Sequence, residues 1–168
     1  MGTDRVATFE SELEGVSTIH RTTATEFAET LSAAITEPAV GTEVPIEDVS
    51  LADTPVETDP SPADVLAAET GVTPAGIGVA DYGTVTLPSD ETLAEVLALY
   101  CIRHVAVLGA SDLVADMPAA YEQLDDDFAE GRDTQILATG PSSTADMGEL
   151  LRGVHGPHET HVVVVTDR

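Results

Sequence analysis

The stretch His104-Val105-Ala106-Val107-Leu108, closed by Gly109, is a short apolar run and reads as a buried β-strand. Outward from it the same alternation recurs. On its amino side, Leu93, Val96, Leu97 and Tyr100 fall at helical spacing behind Asp90, a suitable cap. On its carboxyl side, Ser111 is placed to cap a helix carrying Val114, Met117, Tyr121 and Leu124. Gln135-Ile136-Leu137-Ala138 is another short strand, and His161-Val162-Val163-Val164-Val165 is the last. A strand also begins near Thr84. Residues 62–70 suit a short helix, with Pro62 at its start and Gly71 beyond its end. Helices and short apolar strands alternate from Pro62 onward, which indicates an α/β fold with a mainly parallel sheet flanked by helices.

The earlier part of the chain is less regular. Val6, Phe9, Leu13 and Val16 predict an amphipathic helix. Thr23 followed by Glu26 forms a capping box, and Phe27, Leu31 and Ile35 continue a second helical face. Residues 36–63 carry Pro38, Pro45, Pro55, Pro60 and Pro62 between apolar pieces such as Val44-Pro45-Ile46 and Val49-Ser50-Leu51. These predict short edge strands and loops. No repeat or second core is visible, so one domain is expected over residues 1–168. Its motifs lie within 64–166, and 1–63 supply the helices and short strands before them.

Composition sets limits on function. The chain has 31 acidic and six basic residues, a formal net charge of −25, and 42% apolar residues. The bases are all arginine; lysine and asparagine are absent. Such a charge repels itself, and molar salt screens the repulsion over about 3 Å. The expectation is therefore a halophilic protein, adapted to a concentrated cytoplasm. The apolar content is too high for an acidic disordered chain. No basic stripe exists to meet nucleic acid. No segment approaches the roughly 20 apolar residues of a membrane helix, so a cytoplasmic protein without membrane insertion is expected. The single cysteine, Cys101, sits in the apolar segment 97–107 and suits a buried small residue better than a nucleophile.

Three segments hold residues able to carry chemistry. Gly140-Pro141-Ser142-Ser143-Thr144-Ala145-Asp146 follows a strand and precedes an expected helix with Met147, Leu150 and Leu151. A helix N-terminus with three hydroxyls is an anion cradle for phosphate or carboxylate. The same residues also suit plain capping by Ser143 or Thr144. Asp81-Tyr82-Gly83-Thr84 is a second turn. Asp81 there is a candidate acid/base or ligand contact, or simply an Asx-type turn residue. His155, His158 and His161 recur every third residue. Gly156-Pro157 breaks any helix that would align them, so a metal site is not expected. His155 is the candidate proton donor or ligand contact near the cradle. Asp125-Asp126-Asp127 reads as a solvated loop.

The segments Gly71-Val72-Thr73, Ala80-Asp81-Tyr82-Gly83-Thr84, Thr139-Gly140-Pro141-Ser142-Ser143-Thr144-Ala145-Asp146 and Gly153-Val154-His155-Gly156-Pro157 resemble, in order and spacing, the signature of the LUD (lactate-utilization) family. The resemblance covers about residues 64–166. It implies the fold group of ribose-5-phosphate isomerase, glucosamine-6-phosphate deaminase and CoA-transferase (NagB/RpiA/CoA-transferase-like). It also implies a part in oxidising L-lactate to pyruvate beside partner proteins that carry iron–sulfur clusters. A lone cysteine fits that division of labour, because a cluster takes about four ligands. No cofactor is then expected on this chain. The matched positions are Asp81 and His155 as catalytic candidates. Gly83, Thr84, Gly140, Pro141, Ser142, Thr144, Asp146 and Gly156 are candidates for binding a small anionic metabolite. Two departures stand out: Tyr82 where the family usually has Thr, and Ser143 where relatives are often basic. A stand-alone enzyme, or a binding module for a phosphorylated, CoA-linked or carboxylate metabolite, remains the alternative, and a homodimer stays open.

Overall fold

A computed structural model of the chain describes residues 2–132, 134–146, 149–153 and 155–168. In chain order its elements are α1 (Gly2–Leu13), β1 (Thr18–Thr22), α2 (Phe27–Ala34), β2 (Ala39–Gly41), β3 (Val56–Glu57), α3 (Pro62–Ala67), β4 (Thr70–Pro74), β5 (Gly78–Val79), β6 (Thr84–Pro88), α4 (Ala94–Tyr100), β7 (Arg103–Gly109), β8 (Leu113–Val114), α5 (Met117–Ala129), β9 (Gln135–Ala138), β10 (Ser143–Asp146), β11 (Glu149–Arg152) and β12 (Glu159–Val165). Six strands form one sheet in the order β1-β12-β7-β4-β2-β3, and each neighbouring pair is parallel. The expected α/β fold with a mainly parallel sheet is what the chain adopts. A smaller sheet, β8-β5-β6-β9, pairs β6 antiparallel with both β5 and β9.

The valine-rich runs explain the layering. Strand side chains alternate between faces, and a parallel strand covered on both faces is a nearly continuous apolar run. Val105 and Val107 of β7, with Val163 and Val165 of β12, pack under Phe27 and Leu31 of α2. Ala106, Leu108, Val162 and Val164 face the other way, against Val6, Phe9 and Leu13 of α1. Each fully buried Phe or Leu in these layers contributes about 1.5–3 kcal/mol.

Residues 36–63 form short strands and loops as expected, and β3 is the sheet edge, but β2 is not an edge strand. β2 lies inside the sheet between β4 and β3, and Val44, Val49 and Leu51 enter the core from loops. Ser61 and Asp64 close a capping box on α3. Gly71 does not end that helix; it lies in β4, beneath α4. Thr23 bonds Glu26 as expected, its Oγ1 accepting from the Glu26 N–H at 3.3 Å, but α2 begins at Phe27. Asp90 bonds Thr92 N–H at 2.8 Å, while α4 starts only after Leu93. Ser111 caps nothing: it sits in a 3-10 turn, Val114 belongs to β8, and Asp116 caps α5 through Ala119 N–H at 3.0 Å. Pro118, in the first turn of α5, fixes this later start. Asp125, Asp126 and Asp127 lie in α5 rather than in a loop, and Asp127 pairs with Arg132 at 2.5 Å.

Candidate functional site

Two of the three candidate segments come together. β6 and β9 pair with Val85 opposite Ala138, which sets the next residues side by side. Thr84 Oγ1 and Thr139 Oγ1 are 2.7 Å apart in a hydrogen bond. The preceding turn is closed by Gly83 at φ +57°, where a Cβ would stand 2.8 Å from Leu13 Cγ. A left-handed backbone and the close approach of α1 both demand glycine there. Asp81 is exposed, and its N–H donates to the Ala115 carbonyl at 3.0 Å. Tyr82 is exposed beside it.

The segment after β9 differs from expectation in kind. β10 and β11 pair antiparallel, Ser143 opposite Arg152 and Asp146 opposite Glu149. The expected helix is absent there, so no helix N-terminus supports an anion at Ser142, Ser143 or Thr144. Met147 of that expected helix, and Val154 of the third segment, lie outside the described residues. Gly153 N–H donates to the Ser142 carbonyl at 2.8 Å, next to the Ser143–Arg152 pair. His155 is exposed, and Gly156 follows with φ +111°. Strands and helices share the apolar spacing of Leu150 and Leu151, and two four-residue segments suit an antiparallel strand pair equally well.

Gly140 abuts Val16 and Ser17, just after α1. Here a polar hollow of about 520 Å3 opens, lined by Ser17, Thr18, Arg103, Pro141, Glu159 and His161 among others. It lies at the amino ends of β1, β7 and β12, not at carboxyl ends. The carboxyl-end rule does not reach β9, which belongs to the antiparallel sheet. Asp81 and His155 do not line this hollow; Pro141, His158 and His161 do.

Next to His161, which lines the hollow and which sequence reading reached, stands His20, which it passed over. His20 Nε2 and His161 Nδ1 are 2.9 Å apart, with rings stacked at 5.2 Å and 13°. Burial pushes the His161 imidazole down to about 4, helped by the Arg103 guanidinium and His20. Burial and then Arg103 lower His20 as well. The pair is therefore neutral at pH 7, one ring donating to the other. Arg103 reaches Glu159 Oε2 at 2.9 and 2.5 Å and the Ala34 carbonyl at 3.0 Å. Ser17 and Thr160 join hydroxyls across the rim. The signal for His20 was available: Thr18-Ile19-His20-Arg21-Thr22 has the β-branched content of a strand. Its register against His161 was not.

Cys101 is buried as expected, and burial pushes its thiol up, away from the reactive thiolate.

The LUD domain family matches residues 9–165 of the chain. The chain belongs to the LUD domain family. This LUD chain is similar to lactate utilization protein C of Oceanobacillus iheyensis, 34% identical over 102 residues, or 58% of the chain and 44% of that protein. The homonymous protein of Shouchella clausii is 35% identical over 104 residues, 60% of the chain and 45% of its own length. That of Bacillus subtilis is 31% identical over 105 residues, 60% and 44%. The match spans less than half the length of each of these relatives. A DUF162 family protein from Deinococcus radiodurans has the same fold, with TM-score 0.70 over 98% of both chains at 20% identity.

Proposed function

We propose that this LUD chain serves lactate utilization as a subunit or accessory protein in the oxidation of L-lactate to pyruvate. The carrying observation is the family match over residues 9–165, together with relatives named lactate utilization protein C. In this reading, electrons pass through iron–sulfur partner proteins, because one cysteine falls short of the four ligands a cluster takes. The polar hollow beside Pro141 and His161 takes the small carboxylate, and the neutral His20–His161 pair gives and receives a proton there. Ser142, Thr144, Asp146, Gly156 and His155 on the adjoining segments stay its proposed contacts, with Asp81, Gly83 and Thr84 supporting from the turn tied to Thr139. The proposed setting is the cytoplasm; no described helix is long and apolar enough to cross a membrane. The wider likeness to the NagB/RpiA/CoA-transferase-like folds belongs to the same proposal. In the alternative reading the hollow serves a phosphorylated or CoA-linked metabolite.

Growth tests this. Deleting the gene abolishes growth on L-lactate and spares growth on pyruvate. Wild-type chain restores it, whereas Ser142→Ala and His155→Ala chains that fold normally do not. Unimpaired growth of the deletion strain removes the role. Rescue by both variants removes those contacts and leaves the role standing.

The acidic surface is proposed to suit concentrated salt. Raising KCl from 0.1 M to 1 M shortens the screening length from about 10 Å to about 3 Å. With 31 acids against six bases, the thermal midpoint rises steeply over that range. A midpoint indifferent to KCl rejects the halophilic reading.

A further inference from the structure

At the other end of the large sheet a hollow of about 760 Å3 opens beyond the carboxyl ends of β1, β12 and β7. Thr22 and Thr23 come from β1, Ala110 and Ser111 follow β7, and Thr166 and Asp167 follow β12. Three adjacent parallel strands bring their ends to one edge, where ligands settle in open α/β sheets. The volume falls in the range of small-molecule sites.

The charge at this edge is unlike the rest of the molecule. Arg5 of α1, Arg21 of β1 and the terminal Arg168 all line the hollow. The chain has six arginines, no lysine and 31 acids, so half of its fixed positive charge lines one cavity. A solubilising surface of this composition would not concentrate cations in this way. Arg21 pairs with Glu10, and Arg168 Nη2 pairs with Asp48 at 2.5 Å. The Arg21–Glu10 pair is bidentate and the Arg168 side chain is half-buried, so an entering anion must share or displace these carboxylates. Arg5 donates to the Leu113 carbonyl, and among the described residues no carboxylate pairs with it. Two carboxylates also line the hollow, and one of them, Asp167, pairs with Arg168 at 3.4 Å. Glu26 accepts from Thr23 Oγ1 at 3.1 Å, and Asp167 accepts from Ala24 N–H at 2.9 Å. Ser111, exposed in its 3-10 turn, adds a hydroxyl.

A monocarboxylate satisfies one guanidinium fork. Arg5 stands without a carboxylate partner among the described residues, with Arg21 and Arg168 beside it, so a ligand of at least two negative charges competes best for this space, and phosphate oxygens match the fork geometry. We propose that this hollow binds a phosphate-bearing small metabolite through Arg5, Arg21 and Arg168, at a site separate from the hollow beside Pro141 and His161.

Calorimetric titration of the full chain with inorganic pyrophosphate, inorganic phosphate and L-lactate tests it, at the lowest KCl that keeps the protein folded. Both phosphate probes saturate at one per chain, and they do so equally in the presence and in the absence of L-lactate, which the other hollow takes. Arg21→Gln and Arg5→Gln each weaken phosphate binding about tenfold or more, the effect of losing a charge-assisted hydrogen bond. Arg132→Gln, on another face, leaves it unchanged. Arg5 also holds the Leu113 carbonyl, so exposed Arg21 decides the matter where Arg5→Gln loses its fold, as read by circular dichroism. Absence of saturation by either phosphate probe overturns the proposal. So does unchanged binding in Arg21→Gln, or displacement of bound phosphate by L-lactate. None of these results touches the lactate role, which growth alone decides.

Discussion

Gly71→Ala destabilises the protein by about 3 kcal/mol, the upper end of ordinary overpacking, and the loss is read from the urea midpoint. β4 and α4 cross so closely that a Cβ on residue 71 stands 2.6 Å from the Leu97 carbonyl oxygen, 3.0 Å from its carbon and 3.1 Å from Cys101 Sγ. Two of those three atoms are backbone, which cannot swing aside as a side chain does. The helix must lift, and with it Leu97 and Cys101, which fill the cluster shared with Val40 and Ala68. Adding Cys101→Ala separates the causes. It relieves only the thiol, so the double variant stays as unstable as Gly71→Ala or more so. Recovery of wild-type stability in the double variant shows that the sulfur, not the main chain, sets the limit. A midpoint unchanged in Gly71→Ala dismisses the close crossing altogether.

Acid weakens the fold through His104. This imidazole is buried in β7, its Nε2 2.8 Å from Thr73 Oγ1, and burial pushes it down to about 4 from an ordinary 6.5. The native state therefore holds it neutral while the unfolded chain protonates it readily. Between the two values the unfolded state binds more protons, so stability rises with pH. The stabilisation is complete above about pH 6.5 and is lost as pH falls toward 4, to a total of about 3 kcal/mol. His161 and His20 are shifted in the same direction and add to the slope, less strongly because both are only half-buried. Protonation of the many carboxylates relieves repulsion near pH 4, so the window from 6.5 to 5 isolates the histidines. Urea titrations there, at constant KCl, show a smaller pH slope for His104→Gln than for wild type. Equal slopes mean that His104 does not titrate on unfolding.

The strands were legible wherever the apolar run was uninterrupted. Residues 103–109 and 159–165 lie at the centre of the sheet, covered on both faces. Burial on both faces leaves a pattern no helix surface produces. β1, β2 and β4 escaped because Thr, His, Arg and Gly interrupt their pattern, and each is a strand through its neighbours' hydrogen bonds. The antiparallel pairing of β10 with β11 escaped for a related reason. Ser142-Ser143-Thr144 suits a helix cap and a strand entry alike, and the local chain holds nothing that decides between them.

The candidate site divides along the same line. Sequence reading reached the Asp81-to-Thr84 turn, the segment from Gly140 and His161, because turn residues and motif order are local properties. It did not reach His20, Arg103 or the gathering of Arg5, Arg21 and Arg168. Those groups meet only after a parallel sheet sets β1, β12 and β7 side by side.

By itself the sequence determined the α/β class, the two-faced valine core and the strongly acidic surface, since each follows from composition and from spacing along one segment. Only the tertiary structure decided which strand ends share a hollow, that β10 and β11 pair antiparallel, and that two histidines 141 residues apart touch. Register between distant strands is a contest among many pairings, and it is settled by the packing of the whole rather than by any stretch within it.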